Sequence, residues 1–154
     1  METLRPIRLE LAAGYQFNVD FGLSGVPALR TDATPPLGQG AGPDSEMLLM
    51  AAVGNCLSAS LAFSLRKFKN EDVPMQTTVD GQLVRNEQGR IRMHSVAVAI
   101  RLGVPVARLR LAERALDQYE EFCVVTQSVR MAIPVVVRVF DSEDVLLLPS
   151  ASSQ

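Results

Sequence analysis

Residues 45–69 read SEMLLMAAVGNCLSASLAFSLRKFK, and this stretch decides the fold. It predicts one long helix that begins near Asp44 or Ser45 and runs to about Lys69, because either of the first two residues can cap a helix. Glu46 lies in the first turn, where a carboxylate suits the positive end of the helix dipole. Arg66, Lys67 and Lys69 suit the negative C-terminal end, so residues at both ends favour the predicted helix.

The first half of this helix carries no charge from residue 47 to residue 62. A helix that is apolar on nearly all sides has to be buried on most of them. We therefore expect it to be the central element of the fold or half of an interface between subunits.

Alternating apolar and polar residues predict two hairpins, one on each side of the helix. The first covers residues 5–21 with its turn near Gly14, and the second covers residues 75–102. A short strand is expected at residues 28–31. Residues 32–44 contain three prolines and three glycines and are expected to form a loop.

The remaining pattern predicts a second helix over roughly residues 108–121, a shorter helical piece from Cys123 to about Met131, and a last strand over residues 133–140. Hairpins combined with a few helices indicate an α+β fold with a mostly antiparallel sheet, and parallel βαβ winding is not indicated. We expect one domain over residues 1–154.

Composition excludes some classes of protein. The 154 residues carry a net charge of -2, so a nucleic acid is not expected as a partner. No apolar run approaches the roughly 20 residues that cross a bilayer, and the N-terminal residues lack the pattern of a secretory signal. We therefore expect a cytoplasmic protein without a membrane partner. Its charged fraction of 21% is low, which hints at a surface covered by another chain.

The chain has two cysteines, Cys56 and Cys123, with 66 residues between them. A cytoplasmic chain is not expected to keep a stable structural disulfide. A metal site is not expected either, because His94 is the only histidine and neither cysteine has the spacing of a metal-binding pair. If the fold brings the thiols together they are a reactive and a resolving thiol, and if not they are two small buried apolar residues.

Two motifs around these cysteines resemble a known family. Residues 42–56, GPDSEMLLMAAVGNC, resemble the first signature of the OsmC/Ohr family, the osmotically inducible proteins C and organic hydroperoxide resistance proteins. Residues 122–129, FCVVTQSV, followed by IPV at residues 133–135, resemble the second. The order of elements agrees over roughly residues 5–140, and the chain is identified as a divergent OsmC-like member.

The resemblance implies a swapped α+β homodimer in which the two central helices cross at the subunit interface. It also implies a thiol peroxidase that acts on organic hydroperoxides in the response to oxidative stress. Cys56 would be the peroxidatic cysteine and Cys123 the resolving cysteine, with Glu46 and Arg30 matching the family's glutamate and arginine. No metal or bound cofactor is implied.

The chemistry of a thiol peroxidase requires a thiolate, and burial raises the pKa of a thiol. A helix dipole acts only in the first turn, so a cation is needed, and an arginine held by a carboxylate provides one. Ten helical residues separate Glu46 from Cys56 by about 15 Å. We therefore expect Glu46 and Arg30 of one subunit to complete the site of the other. Arg66 and Arg130 are competing arginines.

The expected reaction forms a sulfenic acid on Cys56, which Cys123 converts to a disulfide that an external dithiol, lipoylated or thioredoxin-like, reduces. Apolar residues are expected to favour alkyl or lipid hydroperoxides as substrates, namely Leu48, Leu49, Phe63 and Phe122. Two alternatives stay open. The protein could bind an apolar small molecule at the subunit interface without catalysis, or it could be a structural or interaction protein with inert cysteines.

Overall fold

The computed structural model describes residues 1–149. The chain divides into two compact units, the first from Met1 to Leu49 and the second from Met50 onward, so that the division falls inside the long helix. The expectation of a single domain over the whole chain stays a prediction.

The first unit contains a three-stranded antiparallel sheet. Its strands are β1 (Arg8–Ala13), β2 (Gln16–Asp20) and β3 (Leu29–Thr31), in the order β1-β2-β3. The turn between β1 and β2 contains Gly14 with a φ of 54°, a backbone conformation that glycine adopts without strain. These strands agree with the first predicted hairpin and with the short strand that was expected to follow it.

The proline- and glycine-rich loop that follows β3 is organised by one buried carboxylate. Asp32 is 3% exposed and accepts hydrogen bonds from the backbone amides of Ala33, Gln39 and Ala41 at 2.8, 3.0 and 3.1 Å. The amide of Asp32 in turn donates to the carbonyl of Pro43 at 3.3 Å. The loop is therefore folded back on β3, which places the start of the next helix beside that strand.

The long helix, α1 (Ser45–Lys67), begins where the sequence predicts. Asp44 caps it, because its carboxylate accepts the amide of Met47 at 2.8 Å. Buried residues recur at helical spacing along one face, among them Val53 and Leu57. The opposite face is exposed, and Phe63 on it is 62% exposed. One chain therefore buries only one face of this apolar helix.

By length and composition, α1 is also the one helix of residues 1–149 that could cross a membrane. The expectation that no apolar segment approaches that length was therefore wrong. The core helix of a water-soluble protein has the same two properties. Since α1 supplies Leu57, Leu61 and Leu65 to the hydrophobic core, we interpret it as a core helix.

The second unit contains a four-stranded sheet in the order β4-β5-β6-β7. Its strands are β4 (Met75–Arg85), β5 (Ile91–Leu102), β6 (Val135–Phe140) and β7 (Leu146–Pro149). The pairs β4–β5 and β6–β7 are antiparallel, but β5 and β6 are parallel. The sequence did not indicate this parallel pair, it did not predict β7, and it placed the start of β6 two residues too early.

The connection from β5 to β6 is a chain of short helices. It comprises a 3₁₀ turn (Val106–Arg108), α2 (Ala112–Gln118), a second 3₁₀ turn (Tyr119–Phe122) and α3 (Val124–Val129). The single helix expected over residues 108–121 was therefore wrong. Leu111 interrupts it with a φ of 49°, because a left-handed residue cannot continue a right-handed helix.

The hydrophobic core of the second unit lies between α1, the sheet and the short helices. It consists of Val53, Leu57, Leu61, Leu65, Val96, Val98, Ile100, Leu102, Ala115, Leu116, Tyr119, Cys123, Val137 and Val139. The residues from β5 are every second one from Val96 to Leu102, as expected for a strand with one buried face. Cys123 belongs to this core, and Cys56 packs against it.

Candidate active site

The two cysteines meet in the second unit. Cys56 lies on α1 and is half-buried, whereas Cys123 is fully buried between the second 3₁₀ turn and α3. Both are free thiols, and the Cys56 thiol lies close enough to Cys123 to raise its pKa. The fold therefore brings together two sulfurs that are far apart in sequence.

The surroundings of Cys123 keep its thiol protonated. Burial raises the pKa of Cys123, and the neighbouring Cys56 thiol raises it further. The Cys123 thiol donates to the hydroxyl of Thr126 at 3.0 Å. When the sulfur is deprotonated the same hydroxyl can turn and donate to it, and this lowers the pKa of Cys123. Because burial is the largest effect, the reduced protein holds a neutral thiol here, with its proton directed at Thr126.

Backbone and side-chain hydrogen bonds fix the segment that carries Cys123. The amide of Cys123 donates to the carbonyl of Glu120 at 3.1 Å, and its carbonyl accepts the amide of Gln127 at 2.9 Å. The side chain of Gln127 donates to the same Glu120 carbonyl at 3.0 Å. These bonds join the turn before Cys123 to the helix after it, so the thiol has a defined position.

An ion pair spans the same segment. The Arg130 guanidinium contacts the Glu120 carboxylate at 3.1 Å, and the two side chains are 28% and 19% exposed. Arg66, the other competing arginine, pairs with Asp72 at 3.5 Å where both side chains are largely exposed. Of these two, Arg130 is the arginine that a carboxylate holds in a partly buried position.

Two of the expected substrate-contacting residues lie together. The rings of Phe63 and Phe122 are 6.5 Å apart in an edge-to-face arrangement, and both side chains are more than half exposed. Phe122 directly precedes Cys123. An apolar, solvent-accessible surface therefore adjoins the resolving candidate.

The other two expected substrate-contacting residues, Leu48 and Leu49, lie in the first unit, and both are half-buried. Leu48 lines a cavity of about 470 Å³ there. The principal apolar lining residues are Leu9, Tyr15, Phe17, Val19, Leu37 and Leu48. The carboxylate-bearing residues at the same cavity are Asp32, Asp44 and Glu46. The first unit therefore contains an apolar cleft with an acidic side.

Glu46 and Arg30 both lie in the first unit but are not paired with each other among residues 1–149. The Glu46 carboxylate accepts a hydrogen bond from the Ser45 hydroxyl at 2.9 Å. Arg30 is exposed on β3, where it pairs in register with Asn18 of β2. Their roles at the thiol centre stay predictions.

The sequence did not single out Thr126 as a partner of a cysteine. The sequence did contain a signal for this contact. Thr126 follows Cys123 by three positions, and residues at this spacing contact each other when the segment is helical. Tyr119 falls within the helix expected over residues 108–121, and the sequence did not single it out either. No group of three or more metal-binding side chains occurs in the part of the chain that the structure describes.

Comparison with known proteins places these motifs in a family. The family model described as "OsmC-like protein" matches residues 38–138, a stretch that includes both cysteines. No curated protein sequence matches the chain at a significant level.

Solved structures share the fold at low sequence identity. An OsmC-like protein from Mycoplasma pneumoniae superimposes with a TM-score of 0.74 at 14% identity, covering 92% of this chain and 99% of that one. The organic hydroperoxide resistance protein OsmC from Legionella pneumophila gives 0.66 at 17% identity, over 90% of this chain and 98% of that one. OhrB of Bacillus subtilis, an organic hydroperoxide resistance protein, gives 0.62 at 16% identity, over 87% and 96%.

These likenesses confirm the α+β fold with antiparallel-rich sheets that the sequence predicted. The family match over residues 38–138 confirms the resemblance carried by the two cysteine motifs. The chain belongs to the family of OsmC-like proteins.

Proposed function

We propose that this protein is a thiol peroxidase that reduces organic hydroperoxides in oxidative stress defence. The Cys56 thiolate attacks the terminal peroxide oxygen, so that a sulfur–oxygen bond forms and the oxygen–oxygen bond breaks. The sulfur is oxidised to a sulfenic acid, and the alkoxide takes a proton and leaves as an alcohol. The Cys123 thiol then displaces the hydroxyl from Cys56, which gives a disulfide and water.

An external dithiol, lipoylated or thioredoxin-like, completes the cycle. It transfers two electrons and two protons to the Cys56–Cys123 disulfide and becomes a disulfide itself. The reaction needs no metal and no bound cofactor.

The observation that carries this proposal is the proximity of the two thiols in the second unit. Condensation of a sulfenic acid with a thiol requires that the two sulfurs approach closely, and their proximity in this fold meets that requirement. The family supports the same conclusion, because it includes organic hydroperoxide resistance proteins.

The environment of Cys123 supports the assignment of roles. A thiolate is the attacking species, and burial raises the pKa of Cys123. A thiol that stays protonated is a poor first nucleophile, but it can resolve a sulfenic acid because the departing hydroxyl takes its proton. Cys56 is therefore the residue that reacts with the peroxide, and Cys123 is the residue that resolves it.

The active form proposed here is a homodimer that exchanges elements between subunits. Proteins of this family are generally homodimers. This chain exposes apolar side chains that a partner would cover, among them Leu9 and Leu11 on β1 and Phe63 on α1. Glu46 and Arg30 of one subunit then complete the site that contains Cys56 of the other.

A count of free thiols tests the chemistry. Reduced protein treated with cumene hydroperoxide should lose two thiols per chain, and the Cys56→Ser variant should keep its remaining thiol. The matched variant Cys123→Ser should lose one thiol and form an adduct with dimedone, a reagent for sulfenic acids. Retention of both thiols by the unaltered protein would refute the peroxidase.

A mixing experiment tests the shared site. Cys56→Ser and Glu46→Gln subunits should each form inactive dimers. Co-expressed, they should form mixed dimers in which one of two sites combines an intact Cys56 with an intact Glu46, so that about a quarter of the activity returns. If both residues of a site came from one chain, mixing would restore nothing.

The cavity in the first unit favours a second candidate function. Its volume of about 470 Å³ and its aromatic and aliphatic lining suit a small apolar molecule. In this case the protein binds such a molecule without catalysis. Retained thiols after peroxide treatment, together with an apolar ligand that copurifies with the protein, would support this function over the peroxidase.

A further inference from the structure

The hydroxyl of Tyr119 is buried without a hydrogen-bond partner among residues 1–149. The side chain is 0% exposed and lies in the hydrophobic core of the second unit. A phenylalanine would fill the same space without removing a hydroxyl from water, so a tyrosine here is unfavourable in the reduced protein. We therefore expect the Tyr119 hydroxyl to form a hydrogen bond in another state of the molecule.

Tyr119 lies four residues before Cys123 and packs in the same hydrophobic core. It opens the 3₁₀ turn that ends at Cys123, and both residues belong to the same core cluster. Burial raises the pKa of Tyr119, and the negative charges of Glu120 and of an ionised Cys123 raise it further. The hydroxyl thus keeps its proton and is available only as a neutral donor or acceptor.

The neutral Cys123 thiol does not need a hydrogen bond from the Tyr119 hydroxyl. The proton of Cys123 is already directed at Thr126, at 3.0 Å. A deprotonated sulfur differs, because it becomes an acceptor of hydrogen bonds in a site from which water is excluded. The hydroxyl and the backbone amide of Thr126 lower the pKa of Cys123, but burial outweighs them, so a further donor would stabilise the thiolate.

We propose that the Tyr119 hydroxyl donates a hydrogen bond to the Cys123 sulfur while that sulfur carries negative charge in the resolving step. The inference rests on the proposed peroxidase function and extends it. As the sulfur–sulfur bond forms, the sulfur–oxygen bond on Cys56 breaks. The proton of Cys123 leaves with the departing hydroxyl as water, and Tyr119 keeps its own proton throughout.

The first experiment isolates Cys123 from peroxide chemistry. In a Cys56→Ser background, the rate of Cys123 alkylation below its pKa reports the thiolate fraction. Tyr119→Phe should lower that rate roughly tenfold, because a hydrogen bond to a charged group is lost. Tyr15→Phe, which alters the other tyrosine of the chain, should leave it unchanged. Equal rates with and without the Tyr119 hydroxyl would overturn the proposal.

The second experiment follows the reaction with both cysteines present. After cumene hydroperoxide is added to the Tyr119→Phe variant, dimedone trapping should show unchanged formation of the Cys56 sulfenic acid. Disulfide formation should be slower by roughly tenfold. A hydroxyl with only a structural role would leave both rates and the alkylation profile unaltered.

The two experiments separate the two proposals. If the unaltered protein does not react with the peroxide, the proposed function fails, whereas the alkylation profile still decides whether Tyr119 acts on Cys123. The variant should fold, because loss of an unpartnered hydroxyl is neutral or stabilising. A thermal midpoint at or above that of the unaltered protein would verify this.

Discussion

Replacing Gly54 with alanine adds one methyl group where α1 packs closely on β4. A Cβ at this position would lie 2.5 Å from Cγ2 of Val79 and 3.7 Å from Cγ2 of Thr77. The first distance is far below van der Waals contact, so either the helix or the valine has to move.

Two opposing contributions decide whether Gly54→Ala raises or lowers the free energy of unfolding. Alanine stabilises a helix interior by about 1 kcal/mol relative to glycine. Overpacking a well-filled core typically destabilises by about 1–3 kcal/mol, and valine yields little because its branched Cβ restricts χ1. We therefore expect Gly54→Ala to lower the free energy of unfolding by about 1 kcal/mol, despite the gain in helix propensity.

Gly81→Ala provides a matched control on β4. A Cβ there would lie 2.7 Å from the sulfur of Met50 and 3.2 Å from that of Met93. Methionine side chains are flexible and can move aside, so this variant should change the free energy of unfolding by less than about 0.5 kcal/mol. The stiffness of the neighbour, and not the added volume, separates the two outcomes.

Urea denaturation of a double-mutant cycle measures the effect. Val79→Ala removes the methyl group that the new Cβ would meet, so in that background Gly54→Ala should stabilise by about 0.5–1 kcal/mol. The coupling between the two sites should then be about 1.5–2 kcal/mol. If Gly54→Ala alone stabilised the protein by about 1 kcal/mol, the close approach of α1 to β4 would be refuted.

Three further predictions concern single contacts. Asp44→Ala removes the cap of α1 and should lower the free energy of unfolding by about 1 kcal/mol in urea denaturation, with Asp44→Asn largely retaining it. Thr126→Val removes the hydrogen bond that lowers the pKa of Cys123, so its alkylation rate in the Cys56→Ser background should reach half-maximum at a higher pH; an unshifted profile would contradict this contact. Backbone amides, that of Val106 first, hold the pKa of the Asp141 carboxylate below its ordinary value of 3.8, so its stabilising contribution is present above that pH and is lost as the pH falls through the lowered value. Asp141→Asn should therefore show a weaker loss of stability in acid than the unaltered protein, and equal pH dependence would count against the role of this carboxylate.

The elements predicted well were those with a local signal. The first hairpin follows from alternation and a glycine turn, and the start of α1 follows from Asp44 and the uncharged stretch behind it. The helix expected over residues 108–121 failed because apolar spacing does not reveal a left-handed residue such as Leu111. The strand β7 was missed because a short apolar run without alternation gives little strand signal, and its turn is closed by the side chain of Asp141.

The residues of the candidate site also divide into those with a local sequence signal and those without one. The motifs named Cys56, Cys123 and Glu46 as candidates, because a motif is a property of neighbouring residues, and the family resemblance added Arg30. The hydroxyl of Tyr119 gave no such signal, since its lack of a partner depends on what surrounds it in space.

The amino-acid sequence by itself determined the central helix, the hairpins and the family, because capping, periodicity and motifs act over a few consecutive residues. Only the tertiary structure decided that Cys56 and Cys123 lie together and that Cys123 is a buried thiol whose proton is directed at Thr126. Proximity and burial arise when α1 packs on a sheet and helices that follow it much later in the chain. No local pattern encodes the distance between two sulfurs separated by 66 residues.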